Sequence, residues 1–251
     1  MTQSGMTGRR VALPILAMVL LGGSSCSRPQ VDTVAGYTGR PLRYPDRILV
    51  LDFAVHPEEV RLDQGLRARL TRAMSDQAPG AQKLAAAQEA SAALTEALVS
   101  ELRSYGLPAE RVAALPSGGT GNIVLIEGQI AAIDQGNQTR RTMIGLGAGR
   151  SSVHADSQVY HRAGGAPPRL LEAFSASIDS GRAPGAAETM GAGAAAGHLA
   201  TSAATTAGMY GLTEFRNSDS TAEARNLGKA LARQIGQFFV QQGWVVASAV
   251  R

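Results

Sequence analysis

Three alternating glycines, Gly145, Gly147 and Gly149, stand in the run Gly145-Leu146-Gly147-Ala148-Gly149-Arg150-Ser151. Such a run cradles a phosphate only where a helix N-terminus follows and aims its backbone N–H groups at the anion. Here the following residues alternate as a strand, no Lys is present, and the spacing is not that of a Walker loop. The pattern argues against nucleotide binding. What the glycines do offer is backbone without side chains, which suits a tight hairpin tip or a packed interface. Gly145, Gly147 and Gly149 are therefore assigned a packing or assembly role. The 4 histidines, His56, His154, His161 and His198, lack metal-ligand spacing. His154 and Asp156 share one strand face, as the solvent side of any strand would allow. A Gly-x-Ser-x-Gly nucleophile motif is absent. The residues thus point away from an enzyme, and call for no metal and no cofactor.

Cys26 is the only cysteine, and it directly follows Gly22-Gly23-Ser24-Ser25. Upstream lie Arg9, Arg10 and an apolar run over 11–21 interrupted by Pro14. That order of positive, apolar and small residues is a secretory signal peptide over 1–25. A helix of eleven residues is about 16 Å long, half of the roughly 30 Å needed to span a bilayer. A lone thiol makes no intramolecular disulfide, and an exported chain rarely retains one. The position resembles the lipobox of bacterial lipoproteins, in which the cysteine is acylated, although Gly23 stands where the pattern has an aliphatic residue. Cys26 is assigned to lipidation, with ordinary signal cleavage as the alternative. Ser27 in place of Asp favours sorting to the outer membrane, facing the periplasm. Removing Arg9 and Arg10 with the signal lowers the formal charge of +4 by two. Beyond the signal only Arg140 and Arg141 are paired, so no basic patch calls for nucleic acid.

The elements that position these residues follow from hydropathy period. Residues 26–46, with Pro29, Pro41, Pro45, Gly36 and Gly39, read as the lipidated cysteine and an extended tether. The continuous apolar run over 47–55 reads as a buried, central strand. Leu66, Leu70 and Met74, four apart, predict a helix from about Gln64. A longer helix is predicted from Ala81 to about Tyr105, with Leu84, Ser91, Leu94, Leu98, Leu102 and Tyr105 in one stripe and Gly106 beyond its end. Residues 111–115 suggest a short strand. Three period-two runs then form an antiparallel meander with one dry face: Val124, Ile126, Gly128, Ile130 and Ala132; Val153, Ala155, Ser157 and Val159; Phe174, Ala176 and Ile178. A capping box at Ser220 and Glu223 opens a helix carrying Leu227, Leu231, Ile235, Phe238 and Phe239; Gly243 ends it, and 244–247 reads as a last strand. The expected fold is α+β: a mainly antiparallel sheet with two or three helices packed on it. It forms a single domain over 47–250, with a Gly/Ala-rich excursion at about 183–213.

Within that excursion, residues 189–213 carry no Asp, Glu, Lys or Arg, and Gly193 and Gly197 are spaced as in close helix contacts. A flexible or Ala-helical excursion and an oligomer- or membrane-facing element are both consistent with this composition.

Leu51-Asp52-Phe53, Ile126-Glu127-Gly128-Gln129-Ile130 and the stretch from Arg141 to Val153 together resemble a bacterial lipoprotein family labelled domain of unknown function 4410. The resemblance covers about 46–246. It extends, as fold-level analogy, to curli-secretion-type envelope lipoproteins. It implies no catalytic residues. The expectation is a lipid-anchored envelope protein acting as a protein-binding or self-assembling periplasmic domain. Its partners would be the membrane, through the anchor, and a protein partner or a homo-oligomer. The alternative is a subunit of an oligomeric outer-membrane pore or secretion channel.

Overall fold

The computed structural model describes residues 28–75, 77–116, 121–144, 148–181 and 219–250. Cys26, Gly145, Gly147, the signal peptide and the Gly/Ala-rich excursion lie outside them.

Seven strands form one sheet: β1 (Gln30–Ala35), β2 (Arg47–Leu51), β3 (Val60–Arg61), β4 (Ala109–Val112), β5 (Ile123–Asp134), β6 (Ser152–Arg162) and β7 (Arg169–Asp179). Their order is β1-β7-β6-β5-β2-β4, with β3 added to the far end of β5. The meander β5-β6-β7 is antiparallel as the alternation requires, and β1 extends it. β2, however, runs parallel to both β4 and β5, and β3 runs parallel to β5. The sheet is mixed, which corrects the expected mainly antiparallel one. Strand direction follows from the crossover connections, and a period-two pattern carries no information about it.

Four helices are described: α1 (Leu66–Ala73), α2 (Pro79–Ser104), α3 (Gln138–Ile144) and α4 (Asp219–Gln241). α2 and α4 lie side by side over one face of the sheet. Their stripes, Leu94, Leu98 and Leu102 from α2 with Leu227, Leu231, Ile235 and Phe239 from α4, meet Ile48, Val50, Val124, Ile126 and Phe174 in one core. Both helices end in a Schellman motif. Gly106 has φ +83° and Gly243 φ +74°. The N–H groups of Leu107 and Trp244 return to the carbonyls of Leu102 (3.3 Å) and Phe239 (2.9 Å).

That second cap corrects the expected last strand. Trp244 folds back over Phe239, ring centroids 5.0 Å apart, and a 3₁₀ turn at Ala247–Ala249 follows. Three further positions differ. A bulge between Ile130 and Ala132 brings Ile133, in place of Ala132, into the core. Gln30–Ala35, expected within the tether, is the sheet's edge strand, antiparallel to β7. The short strand expected at 111–115 begins at Ala109 and pairs with β2.

Candidate functional site

The two faces of the sheet differ. One carries α2 and α4; among the described residues no helix covers the other. On that second face Leu49, Ile123 and Leu125 form a small buried apolar cluster edged by Leu51, Val112 and Tyr160. Beside it opens a hollow of about 340 Å³ lined by Leu51, Asp52, Ala54, Glu127, Gly128, Gln129, Asp156 and Gln158.

The hollow exists because β2 leaves the sheet at Asp52. Two side chains of α2 hold the departing chain: the Ser91 hydroxyl donates to the Phe53 carbonyl (2.6 Å), and the Phe53 N–H donates to Thr95 Oγ1 (3.3 Å). Ala54 then rejoins β5, donating to the Gly128 carbonyl (2.9 Å) and accepting from the Ile130 N–H (2.7 Å). Phe53 turns into the core and its ring lies where a Cβ of residue 128 would be, so only glycine fits there. The two motif fragments Asp52-Phe53 and Glu127-Gly128, far apart in sequence, are thus a single packing unit.

Around that unit the polar groups alternate across β5 and β6: Glu127 faces Gln158 and Gln129 faces Asp156. Asp52 accepts from Arg111 Nε at 2.5 Å, and Arg47 pairs with Glu110 further along the edge. Each bond raises the guanidinium pKa, and Arg47 lowers that of the Glu110 carboxyl. The Tyr160 hydroxyl donates to Gln158 Oε1 (2.9 Å), and burial followed by the charge of Glu127 raises its pKa. No nucleophile–base pair lines the hollow, and among the described residues no three His, Cys, Asp or Glu side chains group as a metal site. The arrangement offers an acidic, hydrogen-bonding surface, with Asp52 at its rim paired to Arg111.

Of the expected assembly glycines, Gly149 alone is described. Its φ is +73°, and a Cβ there would overlap the Asn137 carbonyl. Gly136 (φ +68°) meets the carbonyls of Gly149 and Arg150 in the same way. These glycines close the base of the β5–β6 connection, where the Asn137 N–H donates to the Gly149 carbonyl at 3.0 Å. The connection contains α3, which the sequence reading did not anticipate; a seven-residue helix with two arginines shows no apolar stripe. Next to it, Ser151 is wholly buried and donates to Glu223 Oε1 (2.6 Å), and Arg141 Nη1 donates to Ser151 Oγ (3.4 Å). Glu223, expected in a capping box, thus ties α4 to the sheet. The grouping of Asp52, Glu127 and Asp156 went unseen; its signal was that Asp52 and Glu127 each adjoin a motif residue.

His154 is exposed on the helix-free face. His161 is half-buried with Nε2 2.5 Å from Asn122 Oδ1, and burial followed by Arg169 lowers its pKa. His198 lies outside the described residues. No described helix is long and apolar enough to cross a membrane.

No curated protein matches the sequence. Among solved structures, a dodecamer of PelC from Paraburkholderia phytofirmans is similar at 10% identity and a TM-score of 0.35, over 82% of this chain and 98% of that one. The family described as domain of unknown function (DUF4410) matches residues 48–197, a span that holds both halves of the Phe53–Gly128 unit and the whole meander, and the chain belongs to that family.

Proposed function

We propose that this chain is a lipid-anchored envelope protein, held through Cys26 at the outer membrane, whose periplasmic domain binds a protein partner or further copies of itself and performs no catalysis. The observation that carries the reading is the uncovered sheet face. A two-layer α+β domain covers one side of its sheet, and here the other side carries a small apolar cluster of Leu49, Ile123 and Leu125 beside the hollow. The open face presents fixed polar groups in place of reacting ones: Glu127, Gln129, Asp156 and Gln158 on two paired strands. Such groups favour specificity and register in recognition over raw affinity.

Photocrosslinking in intact cells tests this. A photoreactive residue at Gln158 or Gln129 should capture a partner or a second copy, whereas one at exposed Arg225 on α4 should not. Capture from Arg225 alone refutes the assignment of the face. The anchor is tested separately: Cys26→Ser should release the protein from the membrane fraction, and the wild type should incorporate labelled fatty acid. Absence of label refutes lipidation and leaves the face untouched.

One observation favours a second reading, a subunit of an oligomeric pore or secretion channel. The β5–β6 connection and the segment after β7 leave the sheet at the end where β1 enters it. The uncharged residues 189–213 belong to that segment. Membrane-embedded strands would show as vesicle permeabilisation by the purified full-length protein.

A further inference from the structure

α1 is the anomaly of the fold. It has eight residues, none of them buried. Helices this short are marginal in water unless a face is packed. Leu66, Leu70 and Met74 are 66%, 57% and 87% exposed, and at about 100° per residue they share one arc with Ala73. Arg67 and Arg69 fall on the two flanks of that arc. Ala68 and Arg72 fall opposite it and are partly buried, and with Thr71 and the exposed Arg67 they line a cavity of about 470 Å³ that α1 shares with Gln82 of α2, Gln135 and Gln138. α1 therefore faces outward with its apolar side, arginines along both margins and no acid in its length.

α3 continues the surface. Met143 and Ile144 are 61% and 50% exposed, and α3 carries the exposed Arg140 and no acid, while Arg141 turns inward to Ser151. The two helices are joined through their starts: the Gln138 N–H donates to Asp63 Oδ1 (3.2 Å) and the Gln64 N–H to the Gly136 carbonyl (3.2 Å). Asp63 is thus spent inside the joint.

The position of this surface relative to Cys26 follows from strand register. Asp134, the end of β5, lies opposite Ser152; Ser152 lies opposite Asp179; and Gln30, the start of β1, lies opposite Ser177. The N-terminus therefore enters the sheet at the pole that bears α1 and α3, three strand spacings from β5, which leads into α3, and four from β3, which leads into α1, or about 14–19 Å to the side. Cys26 is two residues before Arg28, a reach of at most about 7 Å.

We infer that α1, extended by the end of α3, is an interfacial helix that lies on an anionic phospholipid surface, with Leu66, Leu70 and Met74 among the acyl chains and Arg67 and Arg69 at the headgroups. An apolar arc bordered by arginines has the form of such helices, and the arginines would meet phosphate charge within a Debye length. The inference rests on the anchored reading for its orientation and adds a second contact to the lipid, fixing which pole of the domain faces the membrane. The helix-free face would then stand edge-on to the bilayer, open to neighbours in the membrane plane.

The test uses the full-length protein with Leu70→Trp, reconstituted in vesicles of phosphatidylethanolamine and phosphatidylglycerol, some with brominated acyl chains. The native Trp244 serves as control. It lies past the far end of α4, where its Nε1 donates to the Leu42 carbonyl. Brominated lipid should quench the introduced indole at least about twofold and leave Trp244 unchanged, and adding Arg67→Glu and Arg69→Glu should abolish the difference. Vesicle-bound protein whose introduced indole is not quenched overturns the inference and leaves the anchor intact. Quenching that persists with Cys26→Ser sustains the inference although lipidation fails. Emission that shifts with protein concentration and without lipid would identify a second copy as the occupant and overturn it. Thermal melts of the Leu70, Arg67 and Arg69 variants should match the wild type, since none of those three side chains is buried.

Discussion

Gly228 sits in the middle of α4, where helix propensity alone favours replacement: glycine to alanine is worth about 1 kcal/mol in a helix interior. The structure reverses the sign. A Cβ at 228 would overlap the Leu94 carbonyl oxygen of α2, and would stand 3.1 Å from its carbon and 3.2 Å from Ala97 Cβ. A backbone carbonyl within a helix cannot rotate away, so α2 and α4 must separate by about 1 Å. A gap of that order forfeits a quarter to a half of each dispersion contact across it, and Leu94, Leu98, Leu227 and Leu231 line this crossing. Overpacking of a well-filled core costs about 1–3 kcal/mol or more, which exceeds the propensity gain. Gly228→Ala should therefore destabilise by up to about 2 kcal/mol net, a fall in Tm of up to roughly 8 °C for a domain of this size. Gly80, in the first turn of α2, has nothing within 4 Å of the same added atom. Gly80→Ala should raise Tm slightly. The pair shares one chemical change and differs only in what surrounds it. Differential scanning calorimetry of both variants decides the matter: a Gly228→Ala protein as stable as Gly80→Ala refutes the close crossing of α2 and α4.

Leu98→Ala and Ile235→Ala, both at wholly buried positions, should each cost about 2–5 kcal/mol by denaturant unfolding; losses below about 0.5 kcal/mol would show that neither stripe faces the sheet. Gly149→Ala should cost about 1–3 kcal/mol through its left-handed backbone alone and accelerate amide exchange at Asn137, whereas Gly164→Ala, at φ +59° in open space, should leave that exchange unchanged. Glu172 is buried and accepts the Tyr37 N–H at 3.0 Å, and desolvation raises its pKa above 4.5 despite that bond. The folded protein holds this proton more tightly than the unfolded chain does. The associated stability is therefore present below pH 4.5 and lost as pH rises through the folded value. Glu172→Gln keeps an acceptor for Tyr37 without the charge, so its Tm should exceed the wild type's at pH 7 and vary less between pH 4 and 8; an unchanged pH profile would remove Glu172 from the account.

Legibility in the sequence tracked burial. The meander, α2 and α4 each place an unbroken apolar period against the core, and a period is what local reading detects. β1 escaped because an edge strand with the burial of Gln30–Ala35 has only two partly covered residues and otherwise faces water. α3 escaped because it is held by hydrogen bonds from its flanks, at Asp63 and Gly149, with no apolar stripe of its own. Trp244 and Val245 were apolar for a reason that mimics a strand: they cover the end of α4 after a glycine cap. The reading of α1 succeeded for its period and says nothing of where the stripe points. Leu66, Leu70 and Met74 have the spacing of a core face and face outward, and only coordinates separate those two cases.

The same distinction bears on what the family motif means. Phe53 and Gly128 need each other for packing alone: a ring fills the space that a missing Cβ leaves, under a strand held off the sheet by Ser91 and Thr95. That pairing would be required for folding in any protein with this break in β2, whatever it binds. Asp52, Glu127 and Asp156 have no such reason. A carboxylate on a sheet face gains nothing in stability from two like neighbours, and the exposed pair of Asp52 with Arg111 contributes little. The glycine and the ring thus build the hollow, and the carboxylates are what the fold does not need. Recognition by this domain should accordingly be sought by changing Glu127 and Asp156, which leaves the packing unit whole.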